Sequence, residues 1–479
     1  MGGRNWTWSA LVWGIAGLSF GLQFAQLSAT PYANGWDGYF YLVQVKAWVE
    51  EGAMHSRDIS PVYLLLRALY HLSGDYILAY KLLSALLAGA FSGLVVLLGR
   101  SLTRSAWLAV LAGLWTLCSP TLAYFAGSFP KNLMGMDFLL LVLWGSVRGR
   151  GWGMWVWLGL AGVTHRMTAG LAVLFVGIRK MNMQRALVLG AMVLLGLGVS
   201  ALLPGMFHLS DLARFDDAFS STPQLSHASF IDLMGGPEFP LVWRIEIYTA
   251  LALLLATTLL FAFSRPHHPH RSFIGSLLLL ALLLHFPFFQ MSSLSMGYRF
   301  FLAGMLLAPL FLLFLADRFR LPNTLAFPLL LAATLWTHSS FSPTAFGPNH
   351  DEYTFISQRV ATHFKEHPPE LLIGHKGMAE QVTFETGIDV LPWQPEYAVD
   401  SMELWRISTN IFPMDFRAYL SPGDQREVVE LSFYTALLRE SVWQRFVAAA
   451  EKAEDEELLE RIYDWENPSE PRPAYLLRK

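Results

Sequence analysis

Long apolar segments separated by short polar connections dominate the first two thirds of the chain. A helix that crosses about 30 Å of hydrocarbon needs about 20 predominantly apolar residues. Segments of this character lie at 9–29, 76–99, 106–126, 133–147, 186–203, 245–263, 273–290, 298–316 and 322–338. The pattern therefore predicts a polytopic α-helical membrane region.

The apolar segment 152–178 is too long for one plain span and is interrupted by Thr164-His165-Arg166. We interpret it as two short helices that meet at a polar corner. With this pair, the short basic connections all fall on one side, which an excess of Lys and Arg marks as cytoplasmic. The chain then has about eleven spans, with the N-terminus inside and the C-terminal part outside, and the plasma (inner) membrane is the expected location.

The polar stretch after the last apolar segment predicts a second domain. We expect a transmembrane domain over 1–339 and a small soluble α/β domain over 340–479. In the soluble domain, 371–375 and 389–393 predict strands around a helix, 426–464 predicts one long helix, and 474–479 predicts a last strand. About 140 residues suffice for a core of their own.

Two long loops are predicted on the outer side, at 30–75 and at 204–244. Within the first loop, 38–51 and 61–73 carry apolar and aromatic residues at helical spacing, and each is followed by a glycine, a common helix stop. Both predict amphipathic helices that lie in the membrane interface. The outer side is therefore the expected functional side.

Composition supports a division into two chemically different parts. Only 15% of the residues are charged and 54% are hydrophobic, whereas soluble domains carry about 25% charged residues. Residues 1–339 have a net charge of +8 and residues 340–479 a net charge of −11. No basic face remains outside the predicted membrane region, which argues against a nucleic-acid partner, and one cysteine, Cys118, excludes an internal disulfide.

Charged groups in or beside lipid are costly, so they mark function more often than surface charges do. The candidates expected on the outer side are Asp37, Lys131, His165, Arg166, Arg244, Glu246 and Arg299. His55 and Asp58, in the first loop, form a further candidate pair. A P-loop, a dinucleotide fingerprint, HExxH and GxSxG do not occur, so any activated donor is expected to be something other than a nucleotide bound by those motifs.

Each candidate has a structural alternative. Asp37 has the chemistry of a general base or of a helix N-cap, and His55 and Asp58 could face the same site or form a solvated turn. Lys131 could hold a phosphate or reach from a helix end to the headgroups. The alternatives for His165-Arg166 are a functional corner and a structural cap, and those for Arg299 are a phosphate ligand and a headgroup anchor.

Several short motifs, taken in order, resemble the GT-C superfamily of polytopic membrane glycosyltransferases, which includes protein mannosyltransferases, aminoarabinose transferases and oligosaccharyltransferase catalytic subunits. They are Trp36-Asp37-Gly38-Tyr39-Phe40-Tyr41-Leu42, Ser60-Pro61-Val62-Tyr63, Gly74-Asp75, Pro130-Lys131-Asn132-Leu133-Met134-Gly135, Thr164-His165-Arg166 and Tyr298-Arg299-Phe300. The resemblance covers roughly residues 10–340.

The resemblance implies a sugar donor on a polyprenyl phosphate and an extracytoplasmic acceptor, which could be an envelope glycan, a lipid or a protein. It implies that Asp37 is the catalytic base and that Arg299, with Lys131, binds the lipid phosphate. Tyr39, His55, Asp58, His165 and Arg166 are the further expected substrate-binding residues. Many relatives carry two adjacent acidic residues in the first loop, whereas Asp37 stands alone, so no metal ligand is assigned and a divalent metal remains an open question.

Two other functions remain open at this point. A transporter or flippase for a lipid-linked sugar would be expected to show inverted repeats and broken helices near the midplane, and no such repeat is evident. A non-catalytic scaffold with a GT-C-like membrane region is the other alternative.

Overall fold

The computed structural model describes residues 3–35, 37–56, 58–103, 105–149, 151–180, 240–263, 270–286, 296–319, 323–342, 348–392, 404–409 and 411–462. The chain divides into two compact units. The membrane unit comprises Met1–Gly35 and Ser56–Phe346, and the C-terminal unit comprises Trp36–His55 and Gly347–Lys479. The first predicted interfacial helix thus groups with the C-terminal residues and not with the residues around it in sequence.

Helices make up the membrane unit. Its described helices are α1 (Gly3–Leu27), α3 (Pro61–Ser73), α4 (Tyr76–Leu102), α5 (Ala106–Leu117), α6 (Pro120–Ser128), α7 (Pro130–Arg148), α8 (Gly151–Thr164), α9 (Arg166–Lys180), α10 (Leu241–Phe263), α11 (Arg271–Leu284), α12 (Met296–Met305), α13 (Ala308–Phe319) and α14 (Asn323–Ser340). Helix α2 (Gly38–Glu50) belongs to the C-terminal unit.

Four helical stretches in the described residues are long and apolar enough to cross a membrane: Trp8–Leu27, Tyr76–Leu102, Leu241–Phe263 and Arg299–Phe319. A bent pair, Ala106–Leu117 with Pro120–Ser128, makes a fifth if it is counted as one span. The predicted segment 186–203 and most of the second outer loop lie outside the described residues. The count of about eleven spans stays a prediction.

Small residues let α1 and α4 approach closely. A Cβ on Gly89 would lie 2.8 Å from the carbonyl oxygen of Ala16, so only glycine fits there. Ser19 donates to the Ala88 carbonyl at 3.2 Å, and Ser92 bonds to Ser19 at 2.9 Å. Small side chains and interhelical hydroxyl bonds are the usual means of packing helices in lipid.

The segment predicted as one span at 106–126 is instead broken. Helices α5 and α6 are bent by 57°, because Pro120, the first residue of α6, has no N–H for the helical ladder. Ser119 caps α6 by accepting from the Leu122 N–H at 3.1 Å. The break that was predicted inside 152–178 is confirmed, since only His165 separates α8 from α9.

The C-terminal unit is built on a five-stranded mixed sheet in the order β2-β1-β3-β5-β4. Its strands are β1 (Leu371–Gly374), β2 (Val390–Pro392), β3 (Leu404–Thr409), β4 (Val429–Ser432) and β5 (Thr435–Arg439). Its helices, besides α2, are α15 (His350–His363), α16 (Lys376–Thr386), α17 (Pro413–Tyr419), α18 (Glu440–Lys452) and α19 (Glu456–Arg461). The predicted strands around a helix at 371–393 are confirmed as the parallel pair β1 and β2 joined by α16.

The prediction of one long helix over 426–464 is wrong. A 3₁₀ turn at Asp424–Glu427 is followed by the antiparallel hairpin of β4 and β5, and α18 begins only at Glu440. The apolar run at 435–439 packs into the sheet, with Leu437 and Leu438 fully buried. Short apolar runs fit a buried strand and a buried helix equally well. Residues 435–439 form a strand because they pair with β3. The predicted last strand at 474–479 lies outside the described residues.

Candidate functional site

Lys131 and Asp58, two of the predicted site residues, form an ion pair in the membrane unit. Lys131 Nζ donates to Asp58 Oδ2, and both side chains are mostly buried, with exposed fractions of 22% and 24%. The other oxygen of Asp58 accepts from the Ser60 N–H at 2.8 Å, just before α3. Lys131 is the second residue of α7, which begins at Pro130. The pair therefore fixes the start of α7 to the loop that leads into α3.

His165 occupies the corner between α8 and α9. Its Nδ1 is buried and makes no hydrogen bond within the described part of the chain. The ring interacts electrostatically with Lys131, Arg299 and Arg166. Three predicted cationic residues from α7, α9 and α12 thus gather around one imidazole, and we call this set (Lys131, Arg166, Arg299 and His165) the cation group.

Arg299 lies near the start of α12, and its guanidinium carbon stands 4.6 Å from the centre of the Phe129 ring. Its Nε is buried without a hydrogen-bond partner among the described residues. A guanidinium over an aromatic face is held in a plane, and its N–H donors suit a phosphate or carboxylate. The geometry thus offers a partly buried, oriented cation with an unused donor.

Two close backbone approaches shape the surroundings of the cation group. Gly35 has a φ of +76°, and a Cβ there would lie 2.5 Å from Ser128 Cα and 2.6 Å from the Gly127 carbonyl oxygen. A Cβ on Gly135 would lie 2.0 Å from Thr168 Oγ1, so α7 and α9 also meet at a glycine. Larger residues at either position would force these elements apart.

The Tyr80 hydroxyl reinforces the approach of Gly35 to α6. Its oxygen lies 2.8 Å from the Gly127 carbonyl oxygen and 3.2 Å from the Asn34 carbonyl oxygen. Helix α6, whose nine residues are all buried, ends there and leads through Phe129 to Lys131. The position of the end of α6 therefore helps to set the position of Lys131 at the start of α7.

Glu246 clamps the other end of α6. This glutamate lies on α10, is buried, and accepts hydrogen bonds from the Thr121 N–H at 3.0 Å, from the Thr121 hydroxyl at 2.6 Å and from the Ser119 hydroxyl. Trp243 Nε1 also donates to the Thr121 hydroxyl, at 3.0 Å. The sequence marked Glu246 as a candidate because it is an acidic residue in an apolar run. Its contact with the start of α6 could not be predicted from the sequence.

Three further predicted residues, Asp37, Tyr39 and His55, lie on or next to α2 in the C-terminal unit. Asp37 is the N-cap residue of α2, yet its side chain makes no capping hydrogen bond. Its carboxylate is therefore not used in the way that the structural alternative required. Tyr39 is only 3% exposed, and its ring packs at 5.4 Å from His350 and at 5.5 Å from Phe384.

His55 follows α2 and faces two carboxylates. Its ring nitrogens lie 3.8 Å from Glu51 and 3.8 Å from Asp389, with 29% of the His55 side chain exposed. Partly exposed pairs of this length contribute little to stability. His55 thus ties the end of α2 loosely to the segment before β2.

No group of three or more His, Cys, Asp or Glu residues that could hold a metal ion occurs within the described ranges. The acidic residues already placed are each engaged singly: Asp58 with Lys131, and Glu246 with the start of α6. Both carboxylates are thus already bonded to protein groups.

The comparison with protein-family models finds no match. A search of curated proteins also finds none. Sequence comparison therefore does not place the chain in a family.

Comparison with solved structures does find similar folds. The apo crystal structure of ArnT from Cupriavidus metallidurans matches 88% of this chain and 96% of its own, with a TM-score of 0.52 and 14% identity. ArnT bound to undecaprenyl phosphate matches 90% and 97%, with a TM-score of 0.49 and 14% identity. The Archaeoglobus fulgidus oligosaccharyltransferase in complex with zinc and sulfate matches 80% and 62%, with a TM-score of 0.48 and 11% identity.

The likeness to apo ArnT covers nearly the whole of both chains. It therefore includes the apolar helices of the membrane unit as well as the small C-terminal sheet. This agrees with the architecture that the sequence motifs indicated. The chain is a multi-pass helical membrane protein whose fold is similar to that of apo ArnT.

Proposed function

We propose that the protein is a membrane glycosyltransferase that moves a sugar from a polyprenyl-phosphate donor to an extracytoplasmic acceptor. The observation that carries the proposal is the cation group. Like charges beside a membrane repel each other. Asp58 offsets the charge of Lys131, and an anion bound at Arg299 would lower the repulsion further. A phosphate on a lipid carrier supplies that anion, and it needs no nucleotide-binding motif.

Within the cation group, Arg299 is the main phosphate ligand in our proposal. Its buried Nε has no protein partner among the described residues, whereas Lys131 is already paired with Asp58. Asp58 then holds Lys131 in place and reduces the net positive charge around it. Arg166 completes the cationic surface at the corner between α8 and α9, beside the buried imidazole of His165.

The proposed reaction has one bond formed and one bond broken at the anomeric carbon. The acceptor hydroxyl oxygen attacks that carbon while Asp37 takes the hydroxyl proton, as a general base does. The bond between the anomeric carbon and the phosphate oxygen breaks, and the phosphate leaves with the electron pair. Arg299 and Lys131 stabilise the charge that develops on the leaving phosphate.

Orientation and location belong to the same proposal. The short basic connections favour a cytoplasmic N-terminus, which leaves the C-terminal unit on the outer face of the plasma membrane. The acceptor would then be a glycan, a lipid or a protein of the cell envelope. The identity of the sugar is not part of the proposal.

Mass spectrometry of envelope glycans and lipids in a deletion strain tests the function. The proposal expects a sugar modification to disappear on deletion and to return with the wild-type gene. Asp37→Asn should not restore it, because an amide cannot take the proton, with an expected loss of at least about 100-fold. Glu50→Gln, which removes an exposed carboxylate from the other end of α2, is the matched control and should restore it.

Two results would count against the proposal. Full modification with Asp37→Asn would show that this carboxylate is not the base. An unchanged glycan and lipid profile on deletion would remove the transferase reading and favour the scaffold or transporter alternatives.

A further inference from the structure

The contacts of α2 suggest a role for the C-terminal unit. Three of them join α2 or the residues just after it to residues more than 300 positions later in the chain. Two lie on α2 itself, at its beginning and in its middle, and the third lies at His55, five residues beyond its end. A helix that is held at two places along its length is restrained from rotating or sliding independently of its support.

At the beginning of α2, an aromatic contact holds Tyr39. The Tyr39 ring packs against His350, the first residue of α15, and against Phe384 near the end of α16, with a tilted and an edge-to-face geometry. Such ring pairs are favourable beyond the area they bury. Tyr39 lies only two residues after Asp37.

In the middle of α2, Lys46 closes the end of α16. Lys46 Nζ donates to the Phe384 carbonyl oxygen at 2.9 Å and lies 5.2 Å from the centre of the Phe384 ring. The last carbonyls of a helix have no partner within the helix, and a cation there is favoured by the helix dipole. Lys46 therefore acts as a cap that α2 supplies to α16.

A buried hydrogen-bond network supports the residues that receive α2. His350 Nδ1 lies 2.8 Å from Gln381 Oε1, and Gln381 Nε2 donates to the His350 carbonyl at 3.1 Å. The same Nε2 also donates to Thr354 Oγ1 at 3.0 Å and to Glu385 Oε1 at 2.8 Å. Gln381 is fully buried, so the network fixes α15 to α16 and with them the ring of His350.

At the end of α2, the weak pair of His55 and Asp389 adds the third contact, at 3.8 Å. We call the supporting set formed by His350, Gln381, Phe384 and Asp389 the α2 seat. The seat is made entirely by the C-terminal unit.

We propose that the C-terminal unit positions Asp37, and that His350 and Phe384 are positioning residues which hold α2 at its first turn. Asp37 immediately precedes α2, and Tyr39, in the first turn of that helix, packs against His350 and Phe384, so the seat holds the part of the helix that carries Asp37. This role goes beyond the proposed function, and only its catalytic consequence rests on that function. The buried ring of Tyr39 is then part of the support and not a substrate contact.

Hydrogen exchange of the full-length protein in detergent tests the seat without any substrate. His350→Ala and Phe384→Ala should lower the protection of the α2 amides about tenfold or more, since about 1.4 kcal/mol corresponds to a factor of ten. His363→Ala is the matched control. It is also a histidine of α15, about 20 Å away at 1.5 Å per residue, and its ring packs on Phe364 and Trp405 instead.

A second measurement separates positioning from general damage. In the seat variants the envelope sugar modification should fall, while the dissociation constant for undecaprenyl phosphate should stay within about twofold of that of the wild type, because the cation group belongs to the membrane unit. A merely structural lesion would lower the modification and also raise the dissociation constant.

The proposal fails if α2 protection is unchanged in both seat variants, or if His363→Ala lowers it equally. It also fails if α2 loosens in the seat variants and the modification persists in full. Failure of the proposed function is a different result: the wild-type protein would then carry out no sugar modification, while the exchange measurement would still show whether the seat holds α2.

Discussion

The cation group and the α2 seat show opposite solutions to placing polar groups. In the cation group, like charges gather, and the buried Nε of Arg299 has no hydrogen-bond partner among the described residues. In the α2 seat, the buried amide of Gln381 has four partners within hydrogen-bond distance, three of which share the two hydrogens of its Nε2. A buried donor without a partner costs free energy unless a ligand completes it, whereas a hydrogen-bond network between two helices restrains them. The first region is thus suited to binding, and the second to holding a helix in place.

Removal of the α6 clamp should produce the largest effect on stability. Glu246→Ala leaves the Thr121 N–H, the Thr121 hydroxyl and the Ser119 hydroxyl without their shared acceptor, and we expect a loss of about 3 kcal/mol in the free energy of unfolding. Denaturant unfolding of the purified protein measures it. Thr249→Ala, on an exposed position of the same helix, should change the value by less than about 0.5 kcal/mol. Equal losses would contradict the clamp.

Crowding at Gly35 should have the next largest effect. Gly35→Ala combines a positive φ with a Cβ that would lie 2.5 Å from Ser128 Cα, so we expect a loss of about 2–3 kcal/mol. Gly74→Ala is the matched control, because its φ is +72° but nothing lies within 4 Å of the added Cβ. It should cost about 1 kcal/mol. If the two variants unfold alike, the close approach of Gly35 to α6 is not important.

Removal of the counter-charge of Lys131 should strengthen the binding of undecaprenyl phosphate. Asp58→Asn keeps an oxygen for the Ser60 N–H but removes the negative charge beside Lys131. We expect the dissociation constant to fall about threefold, as suits a pair that is partly exposed. Asp75→Asn, at the N-cap of α4, changes the charge equally and should leave binding unchanged. Weaker binding in Asp58→Asn would mean that Asp58 contributes by fixing Lys131 and not by its charge.

Acidification should produce the smallest of these effects, a loosening of the α2 seat. Burial lowers the pKa of His350 below its ordinary value, against the opposing effects of Gln381, Glu385 and Asp351. The His350 ring therefore takes up a proton at a higher pH in the unfolded protein than in the folded protein. Stability is therefore full above about pH 6.5 and decreases as the pH falls below it. Hydrogen-exchange protection factors of α2 at pH 7.5 and 5.5 should show this decrease, and His350→Asn should reduce it.

The sequence predicted those features that depend on local chemistry. Charged and polar groups in or beside apolar runs marked Lys131, His165, Arg299 and Glu246 as candidates, because such groups are costly in lipid, and their role in a site stays a prediction. The corner at His165 and the strands around α16 also followed from short-range patterns. These predictions concern what a segment is, and they could be made without knowing what it contacts.

The features that the sequence did not predict depend on pairing over long distances. The hairpin of β4 and β5 replaced a predicted helix because β5 pairs with β3. Lys131 and Asp58 are 73 positions apart, and Lys46 and Phe384 are 338 apart. Composition and periodicity carry no information on such partners, so the assignment of α2 to the C-terminal unit required the structure.

Direct binding of undecaprenyl phosphate to the purified protein tests the central claim, that the cation group recognises a lipid phosphate. We expect Arg299→Ala to raise the dissociation constant about tenfold or more, the cost of losing one charge-assisted contact. Arg271→Ala, which also removes an arginine stacked over a phenylalanine near a helix start, should leave the constant within about twofold. Equal affinity in the wild type and Arg299→Ala, or no binding by the wild type, would contradict the account.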